Sequence, residues 1–383
     1  MCGIAGYYTF NGADLPAGAL NRMLESMVHR GPDDSGTYEF RPEGGSGPRV
    51  SLGHRRLSII DLSTGHQPMY NEDRTLCIVF NGEFYNYIEE RSELEKKGHV
   101  FSTKSDTEVI IHLYEEYGEE CVRRINGMFA FAIWNEKTRS LFAARDRFGI
   151  KPFYYHFGGS AFIFASEIKA ILKGINLAVP LNRKILLEYM AFQIHLSDET
   201  LFTDVKSLLP GHALTIKNGN VEIRQYWKLE YGAVEGVAEE HAVEKIRSLV
   251  FDAVRIRLRS DVPLGAHLSG GMDSSLVTCA AKSFIKHEFH SFSGGFREPG
   301  YDEVEYAKIV SAFCGTRHHI IYPGAQDFAS AMPILMHVMD EPVAGPGLFP
   351  QYYLSKLVKE NVKVVLGGQG GDELFGVYMR YLI

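Results

Sequence analysis

Residues 262–275 read VPLGAHLSGGMDSS: a short apolar run, a glycine turn, then the start of a helical pattern. A strand entering a helix through such a turn brings backbone N–H groups to one point, which makes an anion site by construction. It is not a Walker-type loop, because G-x-x-x-x-G-K-[ST] requires a lysine that is missing. The competing reading is a purely structural turn with Ser274 as helix N-cap. Outward from this stretch, helical and strand patterns alternate: helix 240–259, strand 262–269, helix 274–285, strand 289–296, helix 302–313, strand 318–323, a helix ending near Asn361 and strand 362–368. That alternation predicts an α/β doubly wound parallel sheet. The last strand runs into a second glycine stretch, LGGQGGDELFG (366–376), carrying the acidic pair Asp372 and Glu373. Two such loops at the C-terminal ends of parallel strands share one crevice. There Asp273 and Asp372 are placed to hold Mg2+ against phosphate oxygens, unless both simply cap helices.

Upstream the texture is different. Short apolar strands at 2–10 and 76–84, a hairpin over 128–145 with Phe129, Phe131 and Ile133 on one face, and a second hairpin over 153–166 turning at Gly158 and Gly159 predict sheets with apolar faces. Helical patterns at 17–28, 86–97 and 106–117 are suited to cover them. This is an α+β domain at 2–230, separated by a small, acidic linker at 231–240 from the α/β domain at 241–383.

Composition bounds the rest. The 383 residues suit two or three domains at about 100–200 residues each. A net charge of −7 argues against nucleic-acid or anionic-membrane binding, and no apolar run approaches a membrane span. The five cysteines are scattered, odd in number and without a CxxC pair, so the expectation is reduced, unpaired thiols and a cytoplasmic location. His287 with His290, and His318 with His319, lack further ligands at metal-finger spacing and read as ordinary histidines.

The N-terminus reads MCGIAGYY (1–8). Removal of Met1 would leave Cys2 with a thiol and a free α-amine, whose ordinary pKa of roughly 7.7–8.0 suits a base at neutral pH. Taken singly, the accompanying pieces are ambiguous: Asn81-Gly82 is also a strong hairpin-turn signal, SDTE (105–108) also a capping box, and the arginines of GHRRLSIID (53–61) also fit an exposed strand face.

In combination, MCGI, HRGPD (29–33), RRLSIID, NGE (81–83), SDTE, GMFAF (127–131) and RDRFGIKP (145–152) resemble the class II glutamine amidotransferase domain. SGGMDSS with YDEVEYA (301–307), GTRHH (315–319) and GGDELFG resembles the ATP-pyrophosphatase-type domain of glutamine-hydrolysing asparagine synthetases. The resemblance implies an N-terminal-nucleophile hydrolase αββα sandwich followed by an adenine nucleotide α-hydrolase-like domain. It implies Cys2 as nucleophile, Asn81 and Gly82 as oxyanion hole, Arg56 on the glutamine α-carboxylate, and Glu83 and Asp106 on its α-amino group. In the second domain it implies that Ser269, Gly270, Gly271, Asp273, Ser274 and Ser275 hold pyrophosphate and metal, with Leu268 and Gly368 flanking the nucleotide. Met128 matches a position lining the family's ammonia tunnel. The implied reaction hydrolyses glutamine and passes ammonia to an adenylated carboxylate, with ATP as substrate and Mg2+ as cofactor. Aspartate is the expected acceptor; other carboxylates in secondary-metabolite or cell-surface amidotransferases are the alternative. A homodimer is compatible with the resemblance.

Two departures stand out. Gln369 occupies a place where many asparagine synthetases carry a glutamate, and an amide is no general base near neutral pH. The family also continues through a helical segment beyond position 383, so the expectation is a fragment: a competent glutaminase whose ligase half is weak or inactive and prone to association.

Overall fold

The computed structural model describes residues 1–376 apart from 14, 43, 45, 46, 233–235, 299, 301, 344 and 346. Tyr301 of YDEVEYA and the centre of the expected linker therefore lie outside the described residues. The chain divides into two compact units, Met1–Tyr231 and Gly232–Ile383.

In the first unit the described residues form two six-stranded sheets. One orders its strands Val205–Ser207, Tyr154–Gly158, Ala161–Ala165, Gly3–Thr9, Arg49–Arg56 and Asp34–Phe40. The other runs Asn220–Gln225, His212–Lys217, Ser140–Arg145, Gly127–Asn135, Leu76–Phe84 and Met69–Tyr70. Successive strand side chains point to opposite faces, and in central strands such as Gly127–Asn135 and Ser140–Arg145 both faces are covered. Ala130, Ala132 and Trp134 join Ile4, Leu52, Val79 and Phe164 in the cluster between the sheets. Their neighbours Phe129, Phe131 and Ile133 face outward against Val109, Ile110 and Leu113 of helix Asp106–Tyr117. On the far side, Leu20, Met23 and Leu24 of helix Ala19–Ser26 meet Ile168 and Ile171 of helix Ile168–Ile175 over Ile163 and Ala165. At about 1.5–3 kcal/mol per fully buried large apolar side chain, these three layers dominate the unit's stability. The result is an αββα sandwich.

The second unit has a parallel sheet in the order Arg317–Ile321, His290–Gly294, Leu264–His267, Val364–Leu366. Both faces of a parallel sheet must be buried. Phe251 and Val254 of helix Glu239–Arg257 and Ala280 and Ala281 of helix Met272–Phe284 cover one side with Ala266 and Leu366; Leu354 and Val358 of helix Leu348–Lys359 pack with Phe292 in a second cluster. The chain leaves Leu264–His267 toward one edge and returns on its other side as Val364–Leu366. That reversal of strand order opens a crevice at the C-terminal ends of these two strands.

Helices Ile168–Ile175 and Arg183–Phe192 and strands Asp34–Phe40, His212–Lys217 and Asn220–Gln225 lie outside the elements read from the sequence. Helix Ala325–Met339 was not signalled, and its pattern is interrupted by Pro333. Cys279 and Cys314 are bonded rather than free, with Cα atoms 5.6 Å apart. They sit on helices Met272–Phe284 and Val304–Cys314, which pack together although linear spacing gives no hint of it. No helix among the described residues is long and apolar enough to cross a membrane.

Candidate active sites

Cys2 immediately precedes strand Gly3–Thr9, an interior strand of its sheet, and is therefore delivered to a fixed place. Its Sγ accepts from the Leu57 N–H at 3.4 Å, and the Arg30 Nε donates to the Cys2 carbonyl at 2.9 Å. Arg30 is itself held by Glu167 at 3.2 Å. Burial raises the thiol's pKa, against which the Leu57 N–H acts. In the unprocessed chain burial pushes the Met1 α-amine down to about 5, although the Met1 side chain is exposed.

Arg56, Gly82, Glu83 and Asp106 line the same pocket as Cys2. Arg56 is buried at the end of its strand, where Nη2 donates to the carbonyls of Ile60 and Asp61 at 3.1 and 2.6 Å. Asn81 and Gly82 do not form a hairpin turn. They lie within strand Leu76–Phe84, opposite Ala130 and Phe129. Gly82 is required there, since a Cβ would come within 2.2 Å of the Met128 carbonyl oxygen. Met128 itself pairs with Glu83 across the strands. The Asn81 side chain is fully buried, and both Nδ2 and Oδ1 lack a hydrogen-bond partner among the described residues.

Asp106 opens its helix but does not cap it. Ser105 is the cap, accepting from the Thr107 N–H, while Glu108 turns away to Ser102 and Thr103, so the expected capping box is only half formed. Asp106 Oδ2 instead accepts from the Phe84 N–H at 3.0 Å. Burial raises the pKa of both Asp106 and Glu83, and Glu83 is raised further by the Asp106 charge. Lys151 works against the shift of Glu83, and its own pKa is lowered by burial. Lys151, Arg30, Glu167 and Leu57 were not singled out as site residues from the sequence. Arg30, Leu57 and Lys151 nevertheless lie inside the motifs HRGPD, RRLSIID and RDRFGIKP, which was the available signal.

The second unit's crevice holds a cavity of about 560 Å3, within the about 300–1,000 Å3 of small-molecule sites. Leu268, Ser269, Gly271, Asp273, Ser274, Gly368, Gln369 and Asp372 line it. Helix Met272–Phe284 begins at Gly271 with no side-chain cap, so Ser274 is not the N-cap; its Oγ folds back to the Ser269 N–H and Oγ at 3.1 and 2.9 Å. Ser275 Oγ donates to the Gly271 carbonyl at 2.7 Å. Gly270 has φ +89°, and a Cβ there would meet Tyr306 Cβ at 2.7 Å. The two glycine loops touch directly: a Cβ on Gly368 would lie 2.8 Å from the Ser274 nitrogen, and one on Gly371 would lie 2.1 Å from Asp273 Oδ2. Neither Asp273 nor Asp372 is a cap; both stand in first turns. Burial raises the Asp273 pKa, and Asp372 and Glu373 raise it further. Of the remaining histidines, His290 and His319 hydrogen-bond to each other at 2.9 Å.

Comparison with known proteins follows the same division. A family model described as glutamine amidotransferase domain matches residues 1–227, and one described as asparagine synthase matches 245–383. The glutamine-hydrolysing asparagine synthetase 1 of Bacillus subtilis (strain 168) is 40% identical over 387 residues, covering 100% of this chain and 59% of its own length. A putative glutamine-hydrolysing asparagine synthetase of Methanocaldococcus jannaschii is also 40% identical, over 403 residues, covering 100% of this chain and 76% of its own length. Asparagine synthetase 3 of Arabidopsis thaliana is 33% identical, with 61% of its length covered. The chain thus spans about three fifths of several of its curated relatives.

Proposed function

Because the chain belongs to the glutamine-hydrolysing asparagine synthetase family, we propose that it is an ATP-dependent amide ligase that takes ammonia from glutamine and forms asparagine from aspartate, with AMP and pyrophosphate as co-products. The observation that carries the reading is the convergence of Cys2, Arg56, Gly82, Glu83 and Asp106 on one pocket beside an unpartnered, buried Asn81 amide.

In this reading Met1 is removed and the Cys2 α-amine takes the thiol proton. The thiolate attacks the glutamine δ-carbonyl carbon. The developing oxyanion accepts from Asn81 Nδ2 and the Gly82 N–H, and the amine returns the proton to the departing ammonia. Water then hydrolyses the thioester to glutamate. Arg56 pairs with the substrate's α-carboxylate. Glu83 and Asp106, two acids crowded by burial, are relieved when the substrate's ammonium enters between them.

In the second unit the uncapped start of helix Met272–Phe284, with Ser269, Gly270, Gly271, Ser274 and Ser275, binds the β- and γ-phosphates, while Leu268 and Gly368 flank the nucleotide. Crowding of Asp273, Asp372 and Glu373 fits a divalent cation. Asp273 and Asp372 would hold Mg2+, which supplies charge neutralisation at the phosphates when bound. Use of ATP as co-substrate favours a cytoplasmic location, even though Cys279 and Cys314 are bonded rather than reduced.

The test is to incubate the processed chain with glutamine, ATP, Mg2+ and a panel of carboxylate acceptors. Expected are glutamate release abolished by Cys2→Ala or by retention of Met1, and AMP, pyrophosphate and asparagine that depend on aspartate and form slowly relative to glutamate, because Gln369 supplies no carboxylate in the second glycine loop. Stoichiometric ADP would overturn the adenylation chemistry, and selective amidation of another carboxylate would overturn aspartate.

A further inference from the structure

A third cluster lies away from both pockets. Glu72 follows strand Met69–Tyr70, His99 stands in the loop after helix Tyr87–Lys96, and His112 and Glu115 sit one turn apart on helix Asp106–Tyr117. One ligand atom from each falls within 4.8 Å of all the others. His99 Nδ1 and His112 Nδ1 are 3.2 Å apart; His112 Nδ1 is 3.6 Å from Glu72 Oε2 and 3.5 Å from Glu115 Oε2; His99 Nδ1 is 3.7 Å from Glu115 Oε2. A shared proton accounts for the imidazole contact. It does not account for the three carboxylate distances, which exceed the about 2.7–3.2 Å of a good hydrogen bond. A tetrahedral ion with bonds of about 2.0–2.2 Å sets its ligands about 3.3–3.6 Å apart; four of the six separations here are 3.2–3.7 Å and the other two lie within 4.8 Å.

The outer partners point the same way. Zinc-bound histidines usually offer their other ring nitrogen to a carboxylate, and zinc-bound carboxylates are themselves hydrogen-bonded. Here Glu72 Oε1 accepts from the Val100 N–H at 3.0 Å and Glu115 Oε1 from Asn71 Nδ2 at 3.1 Å, which leaves each Oε2 toward the cluster. His99 Nε2 lies 3.4 Å from Glu116 Oε2, whereas the buried His112 Nε2 has no hydrogen-bond partner among the described residues. His112 is fully buried, so its ring is fixed by packing against Phe101.

We propose that Glu72, His99, His112 and Glu115 bind one Zn2+ ion in a closed, structural, tetrahedral site. Two neutral imidazoles and two carboxylates make the complex electrically neutral. The ion ties the last turns of helix Asp106–Tyr117 to two loops, and so steadies the helix whose first residue lines the Cys2 pocket.

The experiment uses the full chain carrying Cys2→Ala, which removes the competing pocket thiol; the other two free thiols among the described residues, Cys77 and Cys121, are buried. After chelator treatment and dialysis, Zn2+ is titrated calorimetrically, Co2+ is followed by visible absorption, and Tm is read with and without Zn2+. One tight equivalent of Zn2+, distinct from weaker binding at Asp273 and Asp372, intense tetrahedral d–d bands and a higher Tm with metal are expected. His99→Gln should abolish binding, and Glu116→Ala should weaken it by about 10- to 100-fold; circular dichroism establishes that both variants fold. Absence of stoichiometric binding, weak octahedral bands, or unchanged affinity in His99→Gln would overturn the proposal.

Discussion

Replacing Asn81 by valine should make the protein more stable and less active at once. The Asn81 side chain is 0% exposed, in the middle of a strand, with both ends of its amide unpartnered among the described residues. A buried polar group without a partner costs about 1–3 kcal/mol, and valine both removes that cost and suits a strand. Allowing for imperfect repacking, a net gain of about 1–2 kcal/mol corresponds to a Tm increase of roughly 2–8 °C for a unit of this size. The same amide is the oxyanion donor in the proposed reaction, and loss of one such donor costs about 10²–10³ in kcat, or about 2.7–4 kcal/mol of transition-state stabilisation. Differential scanning calorimetry and a coupled glutamate assay on the processed enzyme measure the two quantities. A fall in Tm would mean that the amide is satisfied in the free protein, and glutaminase turnover within tenfold of wild type would refute its role at the oxyanion.

Two other perturbations probe different parts of the molecule. Glu167 is held by His29, Arg30 and Lys169; burial raises its pKa, but hydrogen bonds from His29 and Lys169 and the charges of Arg30 and Lys169 bring it down to about 2. A depressed carboxylate stabilises the fold above its unfolded pKa and loses that contribution as pH falls toward the folded value. Glu167→Gln should therefore lower stability at pH 7 by on the order of 3 kcal/mol and flatten the Tm decline between about pH 4.5 and 2; an unchanged acid limb would show that the cluster is not what holds Arg30 on Cys2. Gly368→Ala forces a Cβ to within 2.8 Å of the Ser274 nitrogen and 2.9 Å of the Asp273 carbonyl carbon, both backbone. It should cost about 1–3 kcal/mol of packing and weaken ATP binding by calorimetry, with glutamine hydrolysis unaffected; full ATP affinity would mean that contact between the two loops is not needed to shape the site.

What the sequence determined by itself is the kind and order of the elements. Hydrophobic periodicity is a property of a single segment, and strand Leu76–Phe84 and helix Asp106–Tyr117 have the bounds that their patterns predict. The glycine loops were legible for a related reason, since each needs a local backbone shape that only certain residues allow. Contacts between distant segments were not legible. The pairing of Cys279 with Cys314, the clamp from Arg30 to the Cys2 carbonyl and the meeting of Glu72 with His99, His112 and Glu115 all depend on how elements pack, which no local pattern encodes. Nor did the sequence decide between equivalent local roles. Asn81-Gly82 signals a turn and SDTE a capping box, but burial between two sheets made the first a mid-strand pair, and the pull of the Phe84 N–H made Asp106 a wall of the pocket rather than a cap. Local chemistry offers a residue a few hydrogen-bonding choices, and tertiary packing selects among them because burial makes an unpaired group costly.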